Sequence, residues 1–144
     1  MTRDEIEVIL SGILDKEESL FDSPSQNDWD NLSRKFNCKF NDDFKHFIDL
    51  MSEYSFPGDI FNVSFGKTNG NDSIDLVYDS EMKAGGWNPD MIPFYGIGNG
   101  DYFCISSKEG PVTAVYYFYH EDFRVEHYSA SFAEWIKGLP AFLA

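Results

Sequence analysis

The chain opens on a helical rhythm. In residues 4–16 the apolar side chains Ile6, Ile9, Leu10, Ile13 and Leu14 recur at three- and four-residue spacing, with acids between them, which predicts one amphipathic helix. The segment "FDSPSQNDWDNL" breaks the rhythm with Pro24 and polar residues, and a second helix is predicted from about residue 28 to 36, burying Trp29, Leu32 and Phe36. A third starts at Asn41, whose side chain can cap it. Asp42 and Asp43 suit the positive end of its dipole, and Phe44, Phe47, Ile48 and Met51 form its stripe. From "FPGDIFNVSFG" onward the period shifts towards two. Residues 60–65 predict a strand ending at Gly66, before the turn "KTNGND". A helix over about 73–83 follows, with Ile74, Val77, Tyr78 and Met82 as its buried side and Gly85-Gly86 as its stop. Short strands are predicted over 91–95, 101–106, 111–119 and 123–128, and "SFAEWIKGL" closes as a helix with Ser131 and Glu134 in capping-box positions. No repeat or linker divides the chain. The expected fold is a single α+β domain over residues 1–144, a largely antiparallel sheet of five or six strands with helices packed around it.

The stretch "YGIGNGDYFCIS" at 95–106 holds three glycines in five residues and asks whether a phosphate binds there. A phosphate loop needs strand, glycine turn and then helix, so that amides and the helix N-terminus face the anion. Here the glycines lead into a strand, no Lys or Arg lies between Lys83 and Lys108, and Asp101 would repel a phosphate. Asn99-Gly100 is instead the favoured pair for a two-residue hairpin turn with both residues at positive φ, and Gly96 and Gly98 would permit a bulge beside it. The stretch is expected to be a structural corner.

Charge changes the picture more than composition does. The 144 residues carry 25 acids against 11 Lys and Arg, a net charge of −14. Residues 1–60 contribute 14 acids and 6 bases, residues 61–144 contribute 11 and 5, so the excess is spread along the chain and is no acidic tail. Such a field repels nucleic acid and anionic membrane and attracts a basic partner, although plain solubility also accounts for it. Rings are abundant, with 14 Phe, 8 Tyr and 3 Trp, and serve equally as core and as contact anchors. Cys38 and Cys104 sit in apolar surroundings and are expected to pack as thiols in a reducing compartment. The acidic N-terminus does not read as a signal peptide, and no apolar run reaches 18 residues, so a cytoplasmic protein is expected.

Catalytic constellations are sparse. His46, His120 and His127 form no metal spacing, and no metal or cofactor is expected. "YHEDF" at 119–123 offers adjacent acid–base groups, but neighbours in a turn diverge, so a solvated turn is the simpler account. Cys104, between Phe103 and Ile105, reads as core rather than nucleophile. "NGNDSID" at 69–75 supplies oxygens without the spacing of a calcium loop. In "PVTAVYYFYH", Val112, Tyr116 and Phe118 share one face while Val115, Tyr117 and Tyr119 share the other. That strand is either covered on both sides or has an aromatic face open to a partner.

Taken in order, these pieces resemble the SUKH superfamily, whose best-known branch is the Smi/Knr-type domain. Trp29-x-x-Leu32 leads to Phe40-Asn41-Asp42-Asp43-Phe44-Lys45-His46-Phe47, similar to that family's leucine, proline, x, acid, aromatic, lysine, x, phenylalanine helix entry, with Asn41 in place of the proline. "MIPFYGIGNGDYFCIS" resembles its second signature, and "VYYFYHED" followed by "SASFAEWI" its closing strand, turn and helix. The likeness covers roughly residues 28–137. It implies a non-enzymatic α+β protein-binding domain. Small bacterial members are implied to be immunity proteins that neutralise a cognate toxin, often a nuclease, and fungal members to act in cell-wall regulation. The expected partner is therefore a protein, with a basic toxin domain as the best fit to the charge. A regulatory interaction module is the alternative, and a small enzyme or ligand binder with a pocket near His120 or Cys104 a third. As contact residues the sequence offers Trp87, Asp90, Asp101, Tyr102, Tyr117, Tyr119, Glu121 and Asp122. Each also has a structural account: Trp87 as core, Asp101 bonded to turn backbone, the tyrosine pair stacked under a helix.

Overall fold

Caps and breakers set the helices close to where the apolar rhythm puts them. A computed structural model describes residues 1–16, 22–63 and 73–144. Among these the chain runs α1 (Arg3–Ser11), α2 (Gln26–Phe36), α3 (Asp42–Leu50), β1 (Asp59–Ile60), α4 (Ile74–Ala84), β2 (Met91–Gly96), β3 (Tyr102–Ser106), a 3-10 turn at Gly110–Val112, β4 (Val115–Phe118), β5 (Val125–Ser129), α5 (Phe132–Lys137) and α6 (Leu139–Phe142). The strands form one antiparallel sheet in the order β1-β2-β3-β4-β5, so the fold is α+β with a meander, as expected.

Several boundaries move, each for a local reason. α1 stops at Ser11, where Gly12 takes over its last carbonyls; Ile13 and Leu14 lie beyond it yet still pack on the core. α2 starts earlier than the apolar pattern suggests, because Ser25 Oγ accepts from Asp28 N at 3.1 Å while the Asp28 carboxylate accepts from Ser25 N at 2.9 Å. Asn41 caps α3 as expected, its Oδ1 accepting from Phe44 N at 2.8 Å, and its Nδ2 donates to the Pro111 carbonyl at 3.1 Å. Asn41→Ala is therefore expected to cost at least about 1 kcal/mol, read as a lower urea midpoint at unchanged slope. Gly85 and Gly86 end α4 at φ +92° and +83°, but Met82 is exposed rather than buried. At α5, Ser131 Oγ accepts from Glu134 N while the Glu134 carboxylate turns to Lys137.

Apart from β2, which runs one residue further to Gly96, the strands are shorter than expected. Pro111 falls in the 3-10 turn, and Thr113 Oγ1 accepts from Ser106 N at 2.8 Å, closing the loop that carries Val112 out to 83% exposure instead of onto a strand face. The bulges fall between Pro93 and Tyr95 and between Val115 and Tyr116, not at Gly96 or Gly98. Residues 64–66, the turn "KTNGND" and residues 69–72 of the oxygen-rich run lie outside the described residues.

The sheet is packed on two sides. On one, Ile92, Phe94, Phe103, Ile105 and Val115 meet Phe44, Phe47, Phe132 and Trp135, with edge-on rings such as Phe94–Trp135 at 5.0 Å and Phe44–Phe132 at 5.2 Å. On the other, Met91, Cys104 and Phe118 form a smaller cluster with Trp87. β4 thus has Val115 and Phe118 buried on opposite faces, while Tyr116 and Tyr117 between them stay half-buried. No helix among the described residues is long and apolar enough to cross a membrane.

Candidate functional site

Because β3 and β4 pair Tyr102 with Phe118 and Phe103 with Tyr117, loop 97–101 and loop 119–124 leave the sheet at the same end. The glycine stretch is a corner between β2 and β3, but its geometry differs from a two-residue turn. Gly98 and Gly100 take positive φ (+100° and +94°) whereas Asn99 does not, and the Asn99 side chain accepts from Asp101 N at 3.0 Å. Gly100 is needed twice, for its φ and because a Cβ there would lie 3.0 Å from the His120 ring.

Asp101 joins the two loops. It is buried, and its Oδ1 accepts from His120 N at 2.9 Å and lies 2.6 Å from His120 Nδ1, while Oδ2 accepts from Tyr117 Oη–H at 2.8 Å and Asn99 Nδ2 at 3.4 Å. Burial opposes its charge. The bonds from His120 and Tyr117 outweigh burial and hold the carboxyl below the usual aspartate range. The same contact, after burial, pushes the Tyr117 phenol up. A buried carboxylate with this many donors is a clamp that fixes where the 119–124 turn sits.

That turn carries an outlier. Phe123 sits at φ +59°, rare for a bulky residue, with its ring over Gly86, where a Cβ would lie 2.6 Å from the ring. Phe123 is 53% exposed. On the helical face of the sheet, Tyr117 meets Tyr119 at 4.7 Å and Tyr128 at 6.5 Å, and Tyr128 and Phe142 both rest on Phe103 at 4.8 and 5.5 Å. These four rings are partly exposed, and Glu121, Asp122 and Glu126 stand exposed in the same turn and on β5.

The residues read from sequence divide three ways. Asp101, Tyr117, Tyr119, Glu121 and Asp122 come together at this end. Trp87 and Tyr102 belong to the packing of the smaller cluster: Trp87 is buried, 4.4 Å from Phe118 and 5.5 Å from Tyr102, its Nε1 donating to the Met91 carbonyl at 3.0 Å. Tyr102 is half-buried and donates to Glu81 at 3.0 Å. Asp90 lies at the opposite end of β2, paired with Lys108 at 3.3 Å while its carbonyl accepts from Ser107 N. Sequence reasoning passed over His120 as clamp, and over Phe123, Arg124, Glu126 and Tyr128. Their signal was weak because it lies in cross-loop contacts and a positive φ, not in a local pattern.

Chemistry elsewhere is limited. Cys38 and Cys104 are free thiols; burial pushes both up, Cys104 well up, which disfavours the thiolate. A shallow cavity of about 190 Å³ lined by Leu76, Val77, Ser80, Glu81 and Tyr102 lies against α4 and includes neither His120 nor Cys104. Among the described residues no three of His, Cys, Asp and Glu gather as metal ligands.

Compared with protein families, residues 6–139 match SUKH_5, described as SMI1-KNR4 cell-wall. The chain belongs to this SUKH family. The match takes in α1 from Ile6 onward, so the shared pattern reaches further towards the N-terminus than the motifs at 28–137 do. No curated protein matches the chain. SUKH domains are generally non-enzymatic. In this SUKH domain the Asp101–His120 pair ties loop 97–101 to loop 119–124 at the ring-bearing end of the sheet.

Proposed function

We propose that this SUKH domain is an immunity protein that binds and neutralises a toxin, and that the toxin offers a basic surface such as the nucleic-acid groove of a nuclease. The observation that carries the proposal is the strip of partly exposed rings, Tyr117, Tyr119 and Tyr128, set among Glu121, Asp122 and Glu126 on a chain of net charge −14. Rigid aromatics supply contact area at low entropic cost, and surrounding carboxylates accelerate encounter with a cation-rich partner and suppress anionic ones. Family membership supports a protein-interaction role. The cell-wall wording of the family description favours a second reading, a regulatory interaction module on the same fold.

Capture from cells that produce the toxin tests the proposal. The tagged chain is expected to retain one basic protein at low salt and to release most of it at about 0.5 M salt, where the screening length falls to a few ångström. Co-expression of that protein alone is expected to arrest growth, and co-expression with the chain to restore it. Capture of several neutral proteins and no growth protection would favour the regulatory module.

A further inference from the structure

Resting on the protein-capture reading, we infer that Tyr119 and Glu126 form a guanidinium station which the chain's own Arg124 fills in the free state and an arginine of a basic protein partner takes over in the complex. The station is visible because it is occupied. Arg124 Cζ lies 4.2 Å from the centroid of the Tyr119 ring and its Nε 3.3 Å from Glu126 Oε1. The Tyr119 hydroxyl donates to Glu126 Oε2 at 3.1 Å, so a single carboxylate holds the ring in place with one oxygen and the cation with the other. A flat guanidinium suits both partners, stacking on the ring while bonding in its own plane, which an ammonium cannot do.

Location explains why an incoming side chain can compete. Arg124 leaves the turn where Tyr119 N donates to its carbonyl at 2.9 Å, so its backbone is fixed and only the side chain has to swing away. That side chain and Glu126 are each about half exposed, at 52% and 49%. β5 is the last strand of the sheet order, with no strand beyond it among the described residues, and Glu126 lies on it. An extended segment added along that edge would bring its side chains to the level of Glu126, with Tyr128 on the same strand and Tyr117 opposite Glu126 on β4. Glu121 and Asp122 add negative charge beside it. When the partner's arginine enters, Arg124 is released next to these carboxylates and the net charge of the station is unchanged.

The test uses the purified full-length chain and two synthetic hexapeptides, Arg-Gly-Arg-Gly-Arg-Gly and its lysine counterpart, titrated by calorimetry at low salt. Arg124→Ala is expected to tighten the arginine peptide about threefold more than the lysine peptide, since the lysine peptide reports the change in charge alone. Adding Tyr119→Ala to Arg124→Ala is expected to abolish the arginine preference. Thermal unfolding of each variant, matched to wild type, establishes that the turn is intact. Equal gains for both peptides, no binding of the arginine peptide by Arg124→Ala, or an arginine preference that survives loss of the Tyr119 ring would each overturn the station. Toxin capture plays no part in these titrations. A negative peptide result beside intact capture removes the station alone, whereas a positive one beside failed capture removes the immunity reading.

Discussion

Asp101→Ala is expected to destabilise the protein by about 2 kcal/mol in urea unfolding at neutral pH, because it removes a buried acceptor shared by several donors, of which the His120 ring, 45% exposed, can turn to water. The donors are His120 N, His120 Nδ1 and Tyr117 Oη, at 2.9, 2.6 and 2.8 Å, with Asn99 Nδ2 more distant at 3.4 Å. Asp101→Asn keeps the shape and one acceptor oxygen, so about half that loss is expected. The pH dependence has a definite sign. The folded carboxyl titrates below its unfolded counterpart, so the native state binds fewer protons than the unfolded one in the acidic range. Its contribution is complete above the ordinary aspartate value of about 3.9 and is lost as pH falls below that value through the lower folded one. The other acids titrate in the same range, so the readout is the stability difference between wild type and Asp101→Asn at pH 7, 4 and 3. That difference should shrink on acidification; a constant difference would mean that the charge of Asp101 contributes nothing and its shape everything. A carboxylate that touched only a partner would leave the unfolding midpoint unmoved at every pH.

Much of the fold is legible in the chain because it rests on short-range rules. Helix starts at Asn41 and Ser131 follow from side chains that each accept from an amide three residues on, the same signal at Ser25 being hidden by the later apolar run, and the stop at Gly85-Gly86 follows from their positive φ. Boundaries fail where a non-local partner decides. Thr113 leaves strand geometry to receive the Ser106 amide, which no period-two count of "PVTAVYYF" reveals. The segment 97–101 reads correctly as a corner between strands but with the wrong turn, since Asn99-Gly100 favours a two-residue turn locally while the Asp101 clamp to His120 goes with a longer one. The site is half legible for the same reason. Glu121 and Asp122 sit exposed in a turn, as residues of that type do, but that Asp101, Tyr117 and His120 meet depends on the register of β3 against β4. The positive φ of Phe123 has no sequence signature at all. A bulky aromatic is among the least expected residues at that angle, and the space it uses is made by Gly86, 37 positions away.

Trp87→Ala is expected to cost about 4 kcal/mol through lost burial and an unfilled cavity. Trp87 forms one side of the smaller cluster, with Phe118 at 4.4 Å, Tyr102 at 5.5 Å and an indole N–H bond to the Met91 carbonyl at 3.0 Å. Trp87→Phe keeps a ring against Phe118 and loses the donor, so a loss of about 2 kcal/mol is expected, recoverable as a shift in urea midpoint at constant slope. This cluster lies directly beneath the turn that presents Phe123, since Phe118 contacts Phe123 at 6.3 Å and Gly86 precedes Trp87 in the chain. Weaker partner capture by Trp87→Ala would accordingly measure damage to the platform, and would say nothing about a contact through the indole. Exposed positions separate the two effects. Glu121→Lys is expected to leave the unfolding midpoint within about 0.5 kcal/mol of wild type, as surface substitutions do, while slowing association with a basic partner by reversing a charge in the turn. Association kinetics measured beside unfolding for both variants would place Trp87 in the scaffold and Glu121 in the contact. Equal unfolding midpoints for Trp87→Ala and wild type would show that the smaller cluster does not hold the sheet's second face.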